Sequence, residues 1–346
     1  MPQLAPAFAT EPTGSEVYCV RFSPDDNFLA AATGHGAVCV YNVSTGQEAF
    51  RLNRTATRPV KQVCWRPEPE DAPLRTRGVL VGASTDGRLR QWHVSSNRCL
   101  EEFGDAEETG QLLCVDYSPD GTRIVAGGMQ ELWAFDEETK KLSACLKGGD
   151  SLTTSGHSSR VFAVRFHPLD SSLLVSAGWD STVQFWDLRA GSTAVRAIVG
   201  PHVCGGALDI SSDGSTLLTG SWRPEDQLEL WDFGTGRRQQ AIPWRPGGIA
   251  DPPCLLYTAC FSRDKDNSMI LAGGSCSAMH EGEAKVFELG KAAMKDSPGR
   301  CIGTFTRFTC LSAHFSSEAA GMLACAGSDG RVRVMRTVPA AAEGGG

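Results

Sequence analysis

Short apolar runs alternate with small-residue runs and tight turns along the whole chain, and no stretch sustains the spacing of a long amphipathic helix. Runs such as Leu173-Leu174-Val175-Ser176-Ala177-Gly178 have strand length and stop at Gly or Asp, as strands do. One unit recurs. An apolar strand ends in an aromatic residue; a Ser, His or Pro turn follows, then a small-residue strand, a tight turn and an aromatic–acid pair. Phe22-Ser23-Pro24, Trp65-Arg66-Pro67, Tyr117-Ser118-Pro119 and Phe166-His167-Pro168 open the first four units. Ile210-Ser211-Ser212, Phe261-Ser262-Arg263 and Phe315-Ser316-Ser317 open three more, and successive openings lie 43, 52, 49, 44, 51 and 54 residues apart. A second anchor follows in each unit: Tyr41-Asn42, Trp92-His93, Phe135-Asp136, Trp186-Asp187, Trp231-Asp232, Phe287-Glu288 and Met335-Arg336. Two anchors that recur together predict seven small sheets.

A four-stranded sheet cannot bury both of its faces alone, whereas seven packed radially hide each face against a neighbour and leave only short edges. The period, with its Gly-His and Trp-Asp marks, resembles the WD40 family of β-propellers. The resemblance is most specific in units four and five and spans nearly the whole chain. It implies an all-β, seven-bladed propeller forming one domain over residues 1–338. Its blades are expected at about 14–54, 58–104, 110–147, 157–200, 201–244, 254–306 and 307–338. Residues 3–10 are expected to add the last strand of the seventh blade and close the ring, although proline disfavours a strand there. Residues 339–346, rich in Gly and Ala, are expected to be a disordered tail.

Charge and cysteine content narrow the function classes. The formal net charge is −7 with no long basic run, which argues against duplex nucleic acid as a partner. Thirteen cysteines, many inside apolar runs (Cys19, Cys39, Cys64, Cys114, Cys325), read as small buried hydrophobes in a reducing compartment. No pair has the CxxC spacing of a zinc site. Cys276, His280 and Glu281 lack a second half-site, so neither a metal nor a cofactor is expected. No signal peptide or membrane-length apolar run is present, and a cytoplasmic location is expected, with the cilium, cytoskeleton or nucleus as alternatives.

Blade four carries the family's buried hydrogen-bond chain in full. By resemblance, His157, Ser176, Asp180 and Trp186 form a structural tetrad, which takes His157 and Asp180 out of consideration as a catalytic pair. There is no G-x-S-x-G, no Walker A and no surviving carboxylate pair, so no enzyme is expected.

Loops held on a rigid scaffold are where binding normally resides. One face of the propeller, called the upper face below, gathers the connections between blades and the turns between second and third strands. Long loops fall there at 147–158, 222–226, 243–253 and 276–283, and on the lower face at 66–78 and 289–300. The resemblance implies peptide contacts from the residue before the second turn and from the start of each first strand. Carried over by register, these are Trp179 and Glu225 from the turns, with Tyr18, Lys61, Leu113, Arg160, Phe162, Tyr257 and Leu311 from the strands. Trp179 is an aromatic where most other blades place small or polar residues, the composition of an interface hot spot. The expected function is a non-catalytic scaffold or adaptor. It would bind protein partners within a multi-subunit complex, with a monomeric propeller and no membrane insertion. Two other readings stand beside it. Trp186-Asp187-Leu188-Arg189 resembles the signature of propellers that serve cullin–RING ubiquitin ligases as substrate receptors, with Arg189 docking the adaptor. The run 157–206 also resembles unassigned WD-repeat proteins of algae and ciliated organisms, which suggests a permanent subunit of a ciliary or cytoskeletal assembly.

Overall fold

The computed structural model describes residues 2–53, 57–68, 77–148, 156–245, 253–276, 282–289, 299–317 and 321–339. Among them, twenty-eight strands form seven antiparallel four-stranded sheets. The first strands of the blades touch one another in chain order, and the last, Cys310–Phe315, touches the first, Val17–Phe22, so the ring is closed around a channel. Each blade then steps outward strand by strand. Blade four runs Val161–His167, Asp170–Gly178, Thr182–Asp187 and Arg196–Val199. The only helix among the described residues is one turn, Ala106–Thr109, capped by the Asp105 carboxylate, which accepts from the Glu107 amide.

The recurring sequence anchors prove to be turn clamps. The Ser after the last apolar residue of the first strand accepts the amide of the returning strand: Phe28 onto Ser23, Arg123 onto Ser118, Thr216 onto Ser211 and Met269 onto Ser262, each at 2.9 Å. The same hydroxyls donate to Asp25, Asp120, Asp213 and Asp264, two residues on. The acid of the second anchor does the equivalent job at the next lower turn. Asp136 and Asp232 accept from the amides of Thr139 (2.8 Å) and Thr235 (2.7 Å), and Asp187 from the Arg189 amide (2.9 Å). Such side chain–backbone bonds satisfy turn amides that the sheet ladder cannot reach.

No single core exists. Apolar side chains interleave between neighbouring blades in layers, for example Val38, Leu52, Val60, Trp65, Leu80 and Trp92 between blades one and two. Blades three and four meet over Val125, Leu132, Phe166, Leu174 and Trp186. Of the thirteen cysteines none is in a disulfide; Cys19, Cys39, Cys114 and Cys325 are buried in these layers and Cys64 is half-buried.

The N-terminal strand Pro2–Ala9 pairs with Val332–Pro339 and completes blade seven as its outermost strand. Its prolines are tolerated because the outer edge needs no donors, and the ladder is interrupted by a bulge between Pro6 and Phe8. Thr10 locks the end of the zipper: its amide reaches the Val332 carbonyl at 2.9 Å and its hydroxyl accepts the Val332 amide at 3.1 Å. Pro339, expected at the head of a tail, is instead paired with Pro2. Residues 340–346, and the middles of most long loops, lie outside the described residues.

Candidate docking face

The tetrad of blade four fixes the upper turn that carries Trp179. His157 Nδ1 meets Asp180 Oδ2 at 2.7 Å, His157 Nε2 meets Ser176 Oγ at 2.7 Å, and Trp186 Nε1 donates to the same hydroxyl at 2.8 Å. Asp180 also accepts from the Ser158 amide (3.0 Å) and from both the amide and hydroxyl of Thr182 (3.1 and 2.8 Å). Burial alone would raise its pKa; these hydrogen bonds, led by the one from His157, outweigh that and hold the carboxyl below its ordinary value. Gly178 closes the argument. A Cβ there would run into the Arg160 carbonyl, so only glycine lets the strand end approach the incoming chain so closely.

Trp179 is thereby held and presented. Its amide donates to the Arg160 carbonyl at 2.9 Å, its indole Nε1 points to Cys204 Sγ at 2.8 Å, and 44% of its surface remains exposed. Phe162 packs against it at 5.6 Å between ring centroids, and the Arg160 guanidinium lies 5.3 Å from its ring. Arg160, Phe162 and Trp179, three of the sequence-derived residues, therefore form one patch.

The next blade repeats the arrangement with a residue that the sequence reading did not select. The Trp222 amide donates to the His202 carbonyl at 2.7 Å, as Trp179 does to Arg160, and Trp222 is 40% exposed. The His202 ring lies 6.3 Å from its indole and is tied back to Ser181 Oγ at 2.9 Å. Burial holds the His202 pKa below its usual value, partly offset by Asp180. The segment 201–206 thus lies between the two indoles, with His202 beside Trp222 and Cys204 beneath Trp179. Glu225 is corrected accordingly. Counting back from the turn acid placed it in register with Trp179, but the turn of blade five is longer. Glu225 sits exposed within it, its carbonyl taken by Arg223 Nε at 2.9 Å.

Leu113 also changes place. Its amide is tied to the Gly127 carbonyl at 2.8 Å and its side chain is 7% exposed, so it belongs to the packing and offers no surface. Tyr18 and Lys61 form a separate pair across blades one and two, the ammonium 3.3 Å from the ring centroid. Tyr257 and Leu311 are half-buried on blades six and seven and make no ring contact with the tryptophans among the described residues. Arg189 lies on the lower face, its guanidinium forked onto Asp187 at 2.9 Å through both Nε and Nη2, with Asp170 at 3.4 Å.

His280 and Glu281 lie outside the described residues. Cys276 instead meets Cys254 and Glu283, whose ligand atoms all lie within 4.8 Å of one another. The Glu283 carboxylate is already engaged by Trp244 Nε1 (2.6 Å), Arg245 (3.2 Å) and Lys285 (3.7 Å). Two cations at that distance oppose a third.

A closed ring of seven four-stranded blades with a buried His-Ser-Asp-Trp chain defines a β-propeller built from WD-type repeats. Residues 8–42 and 149–187 match the family described as WD domain, G-beta repeat, and this match, the relatives and the fold together support a WD40-repeat propeller. Three relatives place it further. Periodic tryptophan protein 2 of Arabidopsis thaliana is 26% identical over 293 residues, 84% of this chain and 26% of that protein. The guanine nucleotide-binding protein subunit beta of Zea mays is 24% identical over 248 residues, 71% of this chain and 63% of that one. The COMPASS component SWD3 of Saccharomyces cerevisiae is 24% identical over 178 residues, about half of each chain (51% and 50%). This chain thus spans a quarter to two thirds of the length of these three relatives. Relatives of this kind typically work as non-catalytic interaction scaffolds within protein complexes. No helix among the described residues is long and apolar enough to cross a membrane.

Proposed function

We propose that this protein is a non-catalytic scaffold that docks a protein partner on its upper face, with Trp179 and Trp222 as the two anchors. The observation that carries the reading is their pairing: indoles 44% and 40% exposed, on adjacent blades, each pinned by the same type of backbone hydrogen bond. Exposed tryptophans whose backbone is fixed in advance bind with little ordering cost, which is what concentrates affinity into a hot spot. Phe162 supports the first ring and His202 the second, so neither indole collapses onto the surface when unoccupied. The partner engaged here is a protein segment within a multi-subunit complex, in the cytoplasm, and the propeller contributes as a monomer.

The test compares wild type with Trp179→Ala, Trp222→Ala and the double variant in affinity capture, with circular dichroism confirming the fold. Each single change is expected to cost about 2 kcal/mol or more of binding, roughly thirty-fold in affinity. A folded double variant that retains every wild-type partner would remove the proposal. No observation favours the ubiquitin-ligase reading; its one residue, Arg189, is exposed on the lower face and paired with Asp187 and Asp170.

A further inference from the structure

The lower mouth of the channel opens at the end opposite the tryptophans and encloses a cavity of about 400 Å³. Every blade contributes one residue from the same position of its first strand: Arg21, Cys64, Asp116, Arg165, Asp209, Cys260 and His314. All but Cys260 line the cavity, and Arg263 and Asp26 stand at its rim.

The charges on this ring do not balance locally. Asp116 accepts the Phe166 amide of the next blade (2.9 Å) and the Cys64 thiol (3.3 Å), and Asp209 accepts the Phe261 amide (2.9 Å). Arg165 lies between these two carboxylates at 3.7 Å from each, and Arg263 reaches Asp209 at 3.2 Å. Those four side chains answer one another. At the rim, Asp26 is consumed by the amide and hydroxyl of Ser317.

Arg21 has no such answer. It is 7% exposed, its ring neighbours are the neutral Cys64 and His314, and its guanidinium donates only to the Val20 carbonyl at 2.9 Å among the described residues. His314 takes the Phe22 amide on Nδ1 at 3.2 Å, which leaves its proton on Nε2. Burial, and then the approach of Arg21, Arg263 and Arg165, keep this imidazole neutral. Arg21 therefore brings a charge with no carboxylate partner among the described residues to a cavity of ligand size that is also lined by His314. A buried charge without a counter-charge is unfavourable, and an anion seated among these donors removes the imbalance.

We infer that the lower mouth of the channel is a binding site for an oxyanion of the phosphate class, held by Arg21 with Arg165, Arg263 and His314 Nε2. Bidentate guanidinium–oxyanion bonds supply the recognition, and the ring of backbone-anchored carboxylates keeps the two flanking arginines in place. The oxyanion is either free phosphate or a phosphoryl group carried by a small molecule. The cavity opens on the lower face, while Arg21 Nη2 reaches up the channel to 4.0 Å from where a Cβ on Gly206 would stand, and the test below needs no partner on the docking face.

Calorimetric titration of the full chain with inorganic phosphate and with pyrophosphate, at ionic strength fixed with sodium chloride, tests this. Saturable binding is expected, with the unfolding temperature raised by either anion beyond the chloride control. Tighter binding of pyrophosphate would identify a phosphorylated small molecule as the natural occupant, and equal binding free phosphate. Arg21→Met should weaken binding at least ten-fold, and in anion-free buffer it should be no less stable than wild type. Should that variant fail to fold, Arg263→Met at the rim should weaken binding several-fold. Absence of saturable binding in the wild type, or equal affinity in wild type and the folded variant, overturns the assignment.

Discussion

At the scale of single residues, Ser176 does more than its size suggests. One hydroxyl serves His157 Nε2 and Trp186 Nε1, both buried, so Ser176→Ala strands two polar groups at once. The expected loss is about 1–3 kcal/mol, read as a lower midpoint in chemical denaturation with an unchanged slope. The tetrad residues were legible through the family resemblance, which assigns each a fixed offset within one repeat. Trp179 was legible for the opposite reason, as an aromatic where register calls for something small. Trp222 was not, because its position was counted from the turn acid, and the turn between Gly220 and Leu228 is longer than its counterpart in blade four. The signal that could have found it is the end of the preceding strand: a tryptophan follows that strand closely in both blades. The hydrogen bonds that pin the two indoles join segments far apart along the chain, and no local pattern announces them.

At the scale of the element, the lower turns are held by ionised carboxylates. Burial would raise the pKa of Asp25, Asp120, Asp213 and Asp264, but their bonds to the preceding Ser and to turn amides outweigh it; all are lowered, Asp120 to about 2. A carboxyl whose pKa is lower folded than unfolded adds stability above its unfolded value, near 3.9, and loses it as pH falls through the folded value. Thermal unfolding followed from pH 6 downward should therefore show the midpoint falling as pH drops below about 4. A midpoint insensitive to pH between about 4 and 2 would show that these clamps contribute nothing net. Turn chemistry of this kind could be read directly, since Ser and Asp two residues apart after an apolar strand is a visible mark. The single helical turn at Ala106–Thr109 could not, because four residues carry too little periodicity to register.

At the scale of the whole molecule, the seven units were carried by the period, and the ring and its closure by the family resemblance, since the last repeat supplies three strands of a four-stranded blade. The sequence could not show how charges from seven distant strands meet in one channel. Arg21 and His314 stand 293 positions apart in the chain but are adjacent on the ring. The closing strand has one further consequence. Pro2 and Pro339 are direct partners across the last ladder, so the polypeptide is topologically almost a loop. A circular permutant that joins the two ends by a short flexible linker and reopens at the exposed lower turn near Gly191 should fold to the same structure. Circular dichroism and gel filtration would check this; a permutant that aggregates would mean that the zipper must form last. Because Pro2 and Pro339 are neighbours, the backbone enters and leaves the closing ladder at one point on the circumference, like a single handle on the wheel.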